Sequence, residues 1–151
     1  MRQLIYVSRV VPGLQDEDAL LRSILEVSVR NNTAVAVSGM LLRHRDHFFQ
    51  ALEGSAAAVE AIYRRVRRDP RHQDLKLLQD ATPTSRSFAG WAMCGHNMGP
   101  ADNEILEVLA LRRGFDPQRI SGPGALSLLR TVHAVQQRVD LRTQPAIVIE
   151  A

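Results

Sequence analysis

From Ala34 to Gly54 the chain reads AVAVSGMLLRHRDHFFQALEG, and this stretch decides the fold. Ala34 to Leu42 is an apolar run of strand length, interrupted only by Ser38 and Gly39. Phe48 to Leu52 is a second such run, and the polar turn His44-Arg45-Asp46-His47 lies between them. Two strand-like runs around a short polar turn predict a β-hairpin. Gln50 is the polar residue of the second arm, on the face it shares with Phe48 and Leu52. A buried amide without a partner costs about 1–3 kcal/mol, so Gln50 needs a hydrogen-bonding neighbour.

Outward from the hairpin, residues 3–8 predict a strand with Leu4, Tyr6 and Ser8 on one face and Ile5 and Val7 on the other. Pro12-Gly13 marks a turn. Asp16 to about Arg30 has Leu20, Leu21, Ile24, Leu25, Val27 and Ser28 at helical spacing, with acids at its start and Asn31-Asn32 as the expected stop. On the other side Ser55 is placed to cap a second helix, whose stripe Val59, Ile62, Tyr63 and Val66 ends before Pro70. Leu75 to Leu78 and Phe88 to Met93 read as further strands. The order β-α-β-β-α-β-β contains the split βαβ arrangement and predicts an α+β, ferredoxin-like, five-stranded mixed sheet with two helices on one face. In that topology the first and third strands are central neighbours, which sets Tyr6 beside Gln50.

The core is expected to span residues 1–96 and a C-terminal helical extension residues 97–151. Glu104 to Leu111 and Ala125 to Val139 read as helices, the second with Leu128, Val132, Val135 and Val139 in register. The turn-rich segment Gly114 to Gly124 joins them. Ile5, Val7, Phe49 and Ala51 make the sheet face opposite Tyr6 and Gln50 apolar as well. Two core helices cover only one face, so the extension is expected to cover the other or to supply a dimer surface.

A chain of 151 residues with 45% hydrophobic and 23% charged residues fits one globular domain. No apolar run approaches the roughly 20 residues of a membrane helix. The N-terminus reads as a strand without a cleavage site, and the single cysteine, Cys94, can form no internal disulfide; a cytoplasmic location is expected. Net charge is +3, and Lys76 is the one lysine among 19 basic residues. Arginine's planar fork suits anions, but the run Arg64-Arg65-Val66-Arg67-Arg68 reads most simply as a solvated helix face.

Ile24, Ser28, Asn31 and Asn32 fall on one side of the first helix, and Arg65, Asp69 and His72 follow helical spacing on and beyond the second. Polar groups from both helices thus converge over the Tyr6–Gln50 face. An apolar cleft with a few convergent polar groups is the default ligand site.

The segments Leu4-Ile5-Tyr6-Val7-Ser8, Ser28-Val29-Arg30-Asn31-Asn32, Ser38-Gly39-Met40-Leu41-Leu42 and Phe48-Phe49-Gln50-Ala51-Leu52-Glu53-Gly54 resemble successive signatures of BLUF domains. So do Tyr63-Arg64-Arg65 with Asp69-Pro70-Arg71-His72, and Phe88-Ala89-Gly90-Trp91-Ala92-Met93. They stand in family order over about residues 3–95, and the tail resembles that of the short, single-domain members. The resemblance implies a blue-light photoreceptor that binds FAD non-covalently between the two core helices, with FMN or riboflavin as alternatives. It implies Asn31 and Asn32 on the polar edge of the ring, and Ile24, Ser28 and Leu41 as walls. Arg65, Asp69, Arg71 and His72 are placed by it at the flavin edge, ribityl chain or phosphates.

By the same resemblance Tyr6 and Gln50 are the photoactive pair, and Trp91 and Met93, on the last strand, relay the change outward. The family mechanism is light-driven electron and proton transfer from tyrosine to flavin, after which the glutamine network is left rearranged. The implied protein is a receptor, not an enzyme, that signals to an unidentified partner protein and forms a homo-oligomer, a dimer or larger ring.

Ala36-Val37-Ser38-Gly39 departs from the Gly-Ile-Thr-Gly of many relatives, a change expected to tighten the second strand, and Arg43 replaces a common aromatic. His44 and His47 lack further ligands for a metal, and none is expected. Cys94 reads as a small strand residue. RNA binding on the sheet needs exposed aromatics; Phe49 qualifies by type, but the apolar tail is expected to cover it. The sequence carries no nucleophile–base pair and no Gly-rich phosphate loop of an enzyme.

Overall fold

The computed structural model describes residues 1–13, 16–91, 93–98, 102–109, 115–140 and 147–149. Its sheet contains β1 (Arg2–Val10), β2 (Ser38–His44), β3 (His47–Gly54), β4 (His72–Ala81), β5 (Met93–Met98) and the short β6 (Ile147–Ile149). The strand order is β4-β1-β3-β2-β5-β6, antiparallel throughout except for the parallel pair β2 and β5. The expected five-stranded mixed sheet is therefore present, and β6 adds an antiparallel strand at its edge that the sequence reading did not anticipate.

The helix α1 (Glu17–Ala34) is capped by Asp16, whose side chain accepts from the Ala19 N–H at 3.0 Å. α2 (Ala56–Arg68) is capped by Ser55 in the same way. Both helices lie on one face, over a core that includes Leu4, Tyr6, Leu21, Leu25, Leu41, Phe48, Leu52, Val59 and Ile62. Gly95 on β5 admits α1 closely, since a Cβ there would stand 2.4 Å from a Leu25 methyl.

α1 runs beyond the expected stop at Asn31-Asn32. The Asn32 carbonyl accepts from the N–H groups of Val35 and Val37, and the reversal falls on Ala36 with φ 55°. Ala34 to Val37 is therefore a helix end and a turn, and β2 begins at Ser38. The last core strand is displaced likewise. Trp91 N–H closes a turn on the Phe88 carbonyl at 3.3 Å, Gly90 takes φ +83°, and the strand starts at Met93. Trp91, expected on that strand, precedes it.

α3 (Asn103–Val108) and α4 (Gly122–Asp140) form the tail, and the expected extension of the first tail helix to Leu111 lies outside the described residues. Leu128, Leu129 and Val132 of α4 are wholly buried against Ile5, Val7, Met40, Leu42, Phe49 and Ala51. Each such side chain contributes about 1.5–3 kcal/mol by leaving water. The second sheet face is thus covered by the tail. Phe49 is completely buried, so it offers no surface on which a base could stack.

Candidate functional site

Tyr6 and Gln50 are directly opposed in the β1–β3 ladder. The phenol donates to Gln50 Oε1, and the amide nitrogen of Gln50 donates to Met93 Sδ at 3.6 Å. Both ends of the buried amide are therefore engaged, as its position required. Burial drives the Tyr6 phenol well above its ordinary pKa, and Asp69 and Tyr63 add to the shift; the proton is firmly held.

A cleft of about 160 Å³ opens over this pair between α1 and α2. Its lining includes every residue expected at a cofactor: Tyr6, Ile24, Ser28, Asn31, Asn32, Leu41, Gln50, Arg65, Asp69, Arg71 and His72. Helical spacing explains the α1 side, because Ile24, Ser28, Asn31 and Asn32 project from adjacent turns. Val27, Phe48, Ile62 and Val66 also line it and were not singled out from sequence. Their signal was present as apolar stripes, but a stripe residue facing a core and one facing a cleft look alike.

At the mouth, Arg71 grips Asp69 in a forked pair, with Nη2 to Oδ2 at 2.6 Å and Nε to Oδ1 at 2.9 Å. Burial alone would raise the Asp69 carboxyl, but the Arg71 side-chain and backbone hydrogen bonds outweigh it and hold the carboxyl below its ordinary value. A shallow depression lined by Arg65, Arg68, Asp69, Pro70 and Arg71 continues outward from the mouth. His72 lies in the wall with its ring edge toward Tyr6, the centroids 6.1 Å apart.

The relay pair is divided by the sheet. Met93 is buried on the cleft side, whereas Trp91 packs on the tail side with its ring 4.7 Å from that of His133 on α4. The cause is the Phe88–Trp91 turn, which takes Trp91 out of the strand alternation that the sequence reading assumed. Trp91 is not part of the cleft lining.

The cleft suits a flat ring with a polar rim. Its walls are aliphatic and aromatic, amides stand at its inner edge, and charged groups cluster at its mouth. Val27, an apolar side chain 40% exposed, faces this space and is the kind of surface a ring would cover. The cleft is smaller than the roughly 300–1,000 Å³ of drug-sized sites, so its volume is that of a ring-sized group and not of a whole larger ligand. Among the described residues, no group of three or more His, Cys, Asp or Glu is arranged to hold a metal, and no helix is long and apolar enough to cross a membrane.

The family model described as "BLUF: Sensors of blue-light using FAD" matches residues 1–94. The blue light- and temperature-regulated antirepressor BluF of Escherichia coli (strain K12) is 36% identical over 86 residues, covering 55% of this chain and 20% of that protein. The photoactivated adenylate cyclase subunit beta of Euglena gracilis is 27% identical over 115 residues, 73% of this chain, which spans only 13% of its length. Among solved structures, the dark state of the BLUF protein BlrB superposes with a TM-score of 0.69 at 30% identity, covering 89% of this chain and 95% of that one. The photo-activated state of BlsA superposes with a TM-score of 0.76 at 25% identity, covering 86% and 92%.

Proposed function

The chain belongs to the BLUF family of blue-light sensors, and we propose that it binds FAD non-covalently in the cleft between α1 and α2. Residues 1–96 act as the sensor and residues 97–151 as the element that passes the signal to a partner protein or to another copy in a homo-oligomer. It works as a receptor in the cytoplasm, without turning over a product. The observation that carries the reading is the Tyr6–Gln50–Met93 chain of hydrogen bonds at the floor of a ring-sized cleft.

Asn31 and Asn32 bind the polar rim of the ring, and Ile24, Ser28 and Leu41 pack on its faces. Arg65, Asp69 and Arg71 meet its edge and the chain that leaves the mouth; the Asp69 pairing pre-aligns the Arg71 fork. FMN and riboflavin share the ring and fit the same walls. Bound flavin supplies the absorption of blue light and an acceptor for one electron.

Tyr6 is an oxidisable phenol whose proton stays on Oη until an electron leaves, because burial opposes its loss. Gln50 carries a donor and an acceptor on one amide, so turning or tautomerising it reverses the polarity of the chain with no change in net charge. Met93 loses its amide donor when that happens, and β5 carries the change toward the tail. The test is the visible spectrum of protein purified in darkness and supplied with FAD. A flavin spectrum that moves slightly to the red under blue light and relaxes in darkness is expected; a protein that stays colourless refutes the reading.

A further inference from the structure

Both ring nitrogens of His72 are engaged within the protein. Nδ1 lies 2.7 Å from Ser8 Oγ, and Nε2 lies 2.5 Å from the carbonyl oxygen of Val66. A carbonyl only accepts, so Nε2 carries the hydrogen; in the neutral ring Nδ1 offers a lone pair, and the Ser8 hydroxyl donates to it. One neutral tautomer satisfies both contacts.

Each partner has reason to keep this bond. Val66 belongs to the last turn of α2; its carbonyl accepts from the Asp69 N–H at 3.1 Å and has a second lone pair, which His72 fills. Ser8 is completely buried, and a buried hydroxyl stripped of its acceptor is costly. His72 opens β4, while Ser8 lies on β1 two residues from Tyr6 and on the same face. The imidazole therefore ties the strand that carries Tyr6 to the end of the helix that carries Arg65. It also stands edge-on to the Tyr6 ring at 64°. Ser8 itself does not line the cleft.

We propose that His72 is a positioning residue, which fixes the flank of Tyr6 and the end of α2 through Ser8 and Val66 rather than holding flavin through its ring nitrogens. This rests on the photoreceptor reading given above. It separates two roles that a cleft-lining histidine can play, and they fail differently. Loss of a ligand weakens flavin binding and leaves the loaded protein unchanged. Loss of a tether leaves binding unchanged and alters how the Tyr6 network relaxes.

Ser8→Ala removes the donor without touching the cleft. Flavin affinity is expected to stay within about twofold of the unmodified protein, while dark recovery accelerates about threefold to tenfold, the rate effect of one ordinary hydrogen bond. Ser8→Thr, which restores a hydroxyl, is expected to return recovery toward the original rate. Recovery in Ser8→Ala equal to that of the unmodified protein would overturn the proposal. An independent measurement needs no variant: nitrogen-15 NMR of the His72 ring, with and without FAD. The expected result is a neutral ring protonated on Nε2 in both states. A ring protonated on Nδ1, or nitrogens that shift strongly when FAD binds, would overturn it. Absence of any light-induced spectral shift in the unmodified protein would refute the photoreceptor reading instead, and the NMR result would still decide the tether.

Discussion

Gln50 presents its amide nitrogen to Met93 Sδ at 3.6 Å while its amide oxygen accepts from Tyr6. The two ends are held unequally. A phenol is a strong donor and a thioether a weak acceptor, so the nitrogen end is the looser one. Turning the amide gives up only a weak acceptor at the nitrogen end, and the Tyr6 hydroxyl oxygen can then accept from the amide nitrogen. Met93 sits on β5 next to the parallel strand β2, whose other neighbour is β3, so a change at Gln50 has a direct route to the outer part of the sheet. Beyond it, Trp91 and Phe88 both stack edgewise on His133 of α4, at 4.7 and 5.3 Å.

That contact leads to the first prediction. Blue light is expected to raise amide hydrogen exchange in α4, most clearly from Leu128 to Gln136, because the β5 end is repositioned beneath it. Identical protection in light and darkness would contradict a signalling role for the tail. Leu128→Ala, which empties a wholly buried site on the same face, is expected to cost about 2–5 kcal/mol in urea unfolding.

Asp69 gives a pH dependence of defined sign. Its folded-state pKa is depressed, so its contribution is fully present above the unfolded value of about 3.9 and is lost as the pH falls through the folded value. Asp69→Asn is expected to lose about 1 kcal/mol of stability at neutral pH, since the pair is only partly shielded from water. The difference from the unmodified protein should shrink as the pH falls below about 4 and on through the lower folded value, where Asp69 also becomes neutral. Chemical denaturation at pH 7 and pH 3 measures both.

Glu53 is predicted to act in the opposite sense. Burial raises its carboxyl, against two hydrogen bonds from the Ser87 N–H that favour the charged form. A raised acid contributes stability below its unfolded value of about 4.3 and loses it as the pH rises through the folded value. The stability of the unmodified protein relative to Glu53→Gln should therefore fall between acid and neutral pH. A flat difference would contradict this.

Ala36 occupies left-handed backbone at φ 55°, a conformation that costs a residue with a Cβ roughly 1–2 kcal/mol. Ala36→Gly is expected to stabilise the fold by about 0.5–1 kcal/mol, the gain being reduced by the freer unfolded chain. Its thermal midpoint should rise. The Arg86 guanidinium donates to the Ala36 carbonyl at 2.7 Å and is compatible with the change.

Much of this architecture was legible because it depends on periodicity. Alternation placed Tyr6 with Leu4 and Gln50 with Phe48, and helical spacing placed Ile24, Ser28 and Asn32 on one side of α1. What was not legible came from turns. Ala34 to Val37 is apolar and β-branched enough to pass for a strand, and only the left-handed Ala36 shows that the chain reverses there. Trp91 reads as part of the last strand because nothing local reveals that Glu53, 34 positions before Ser87, anchors the Ser87 N–H and holds the segment ahead of the strand in a turn. The engagement of His72 by Ser8 is a contact across 64 positions, which spacing along one helix does not express.

The central claim is that Tyr6 and Gln50 together convert light into a rearranged hydrogen-bond network, and one measurement tests it most directly. Light-minus-dark visible spectra would be recorded on FAD-loaded protein and on Tyr6→Phe and Gln50→Ala, all confirmed to bind flavin. The account predicts a small, reversible red shift in the unmodified protein and none in either variant. A full shift that persists in Gln50→Ala would contradict it.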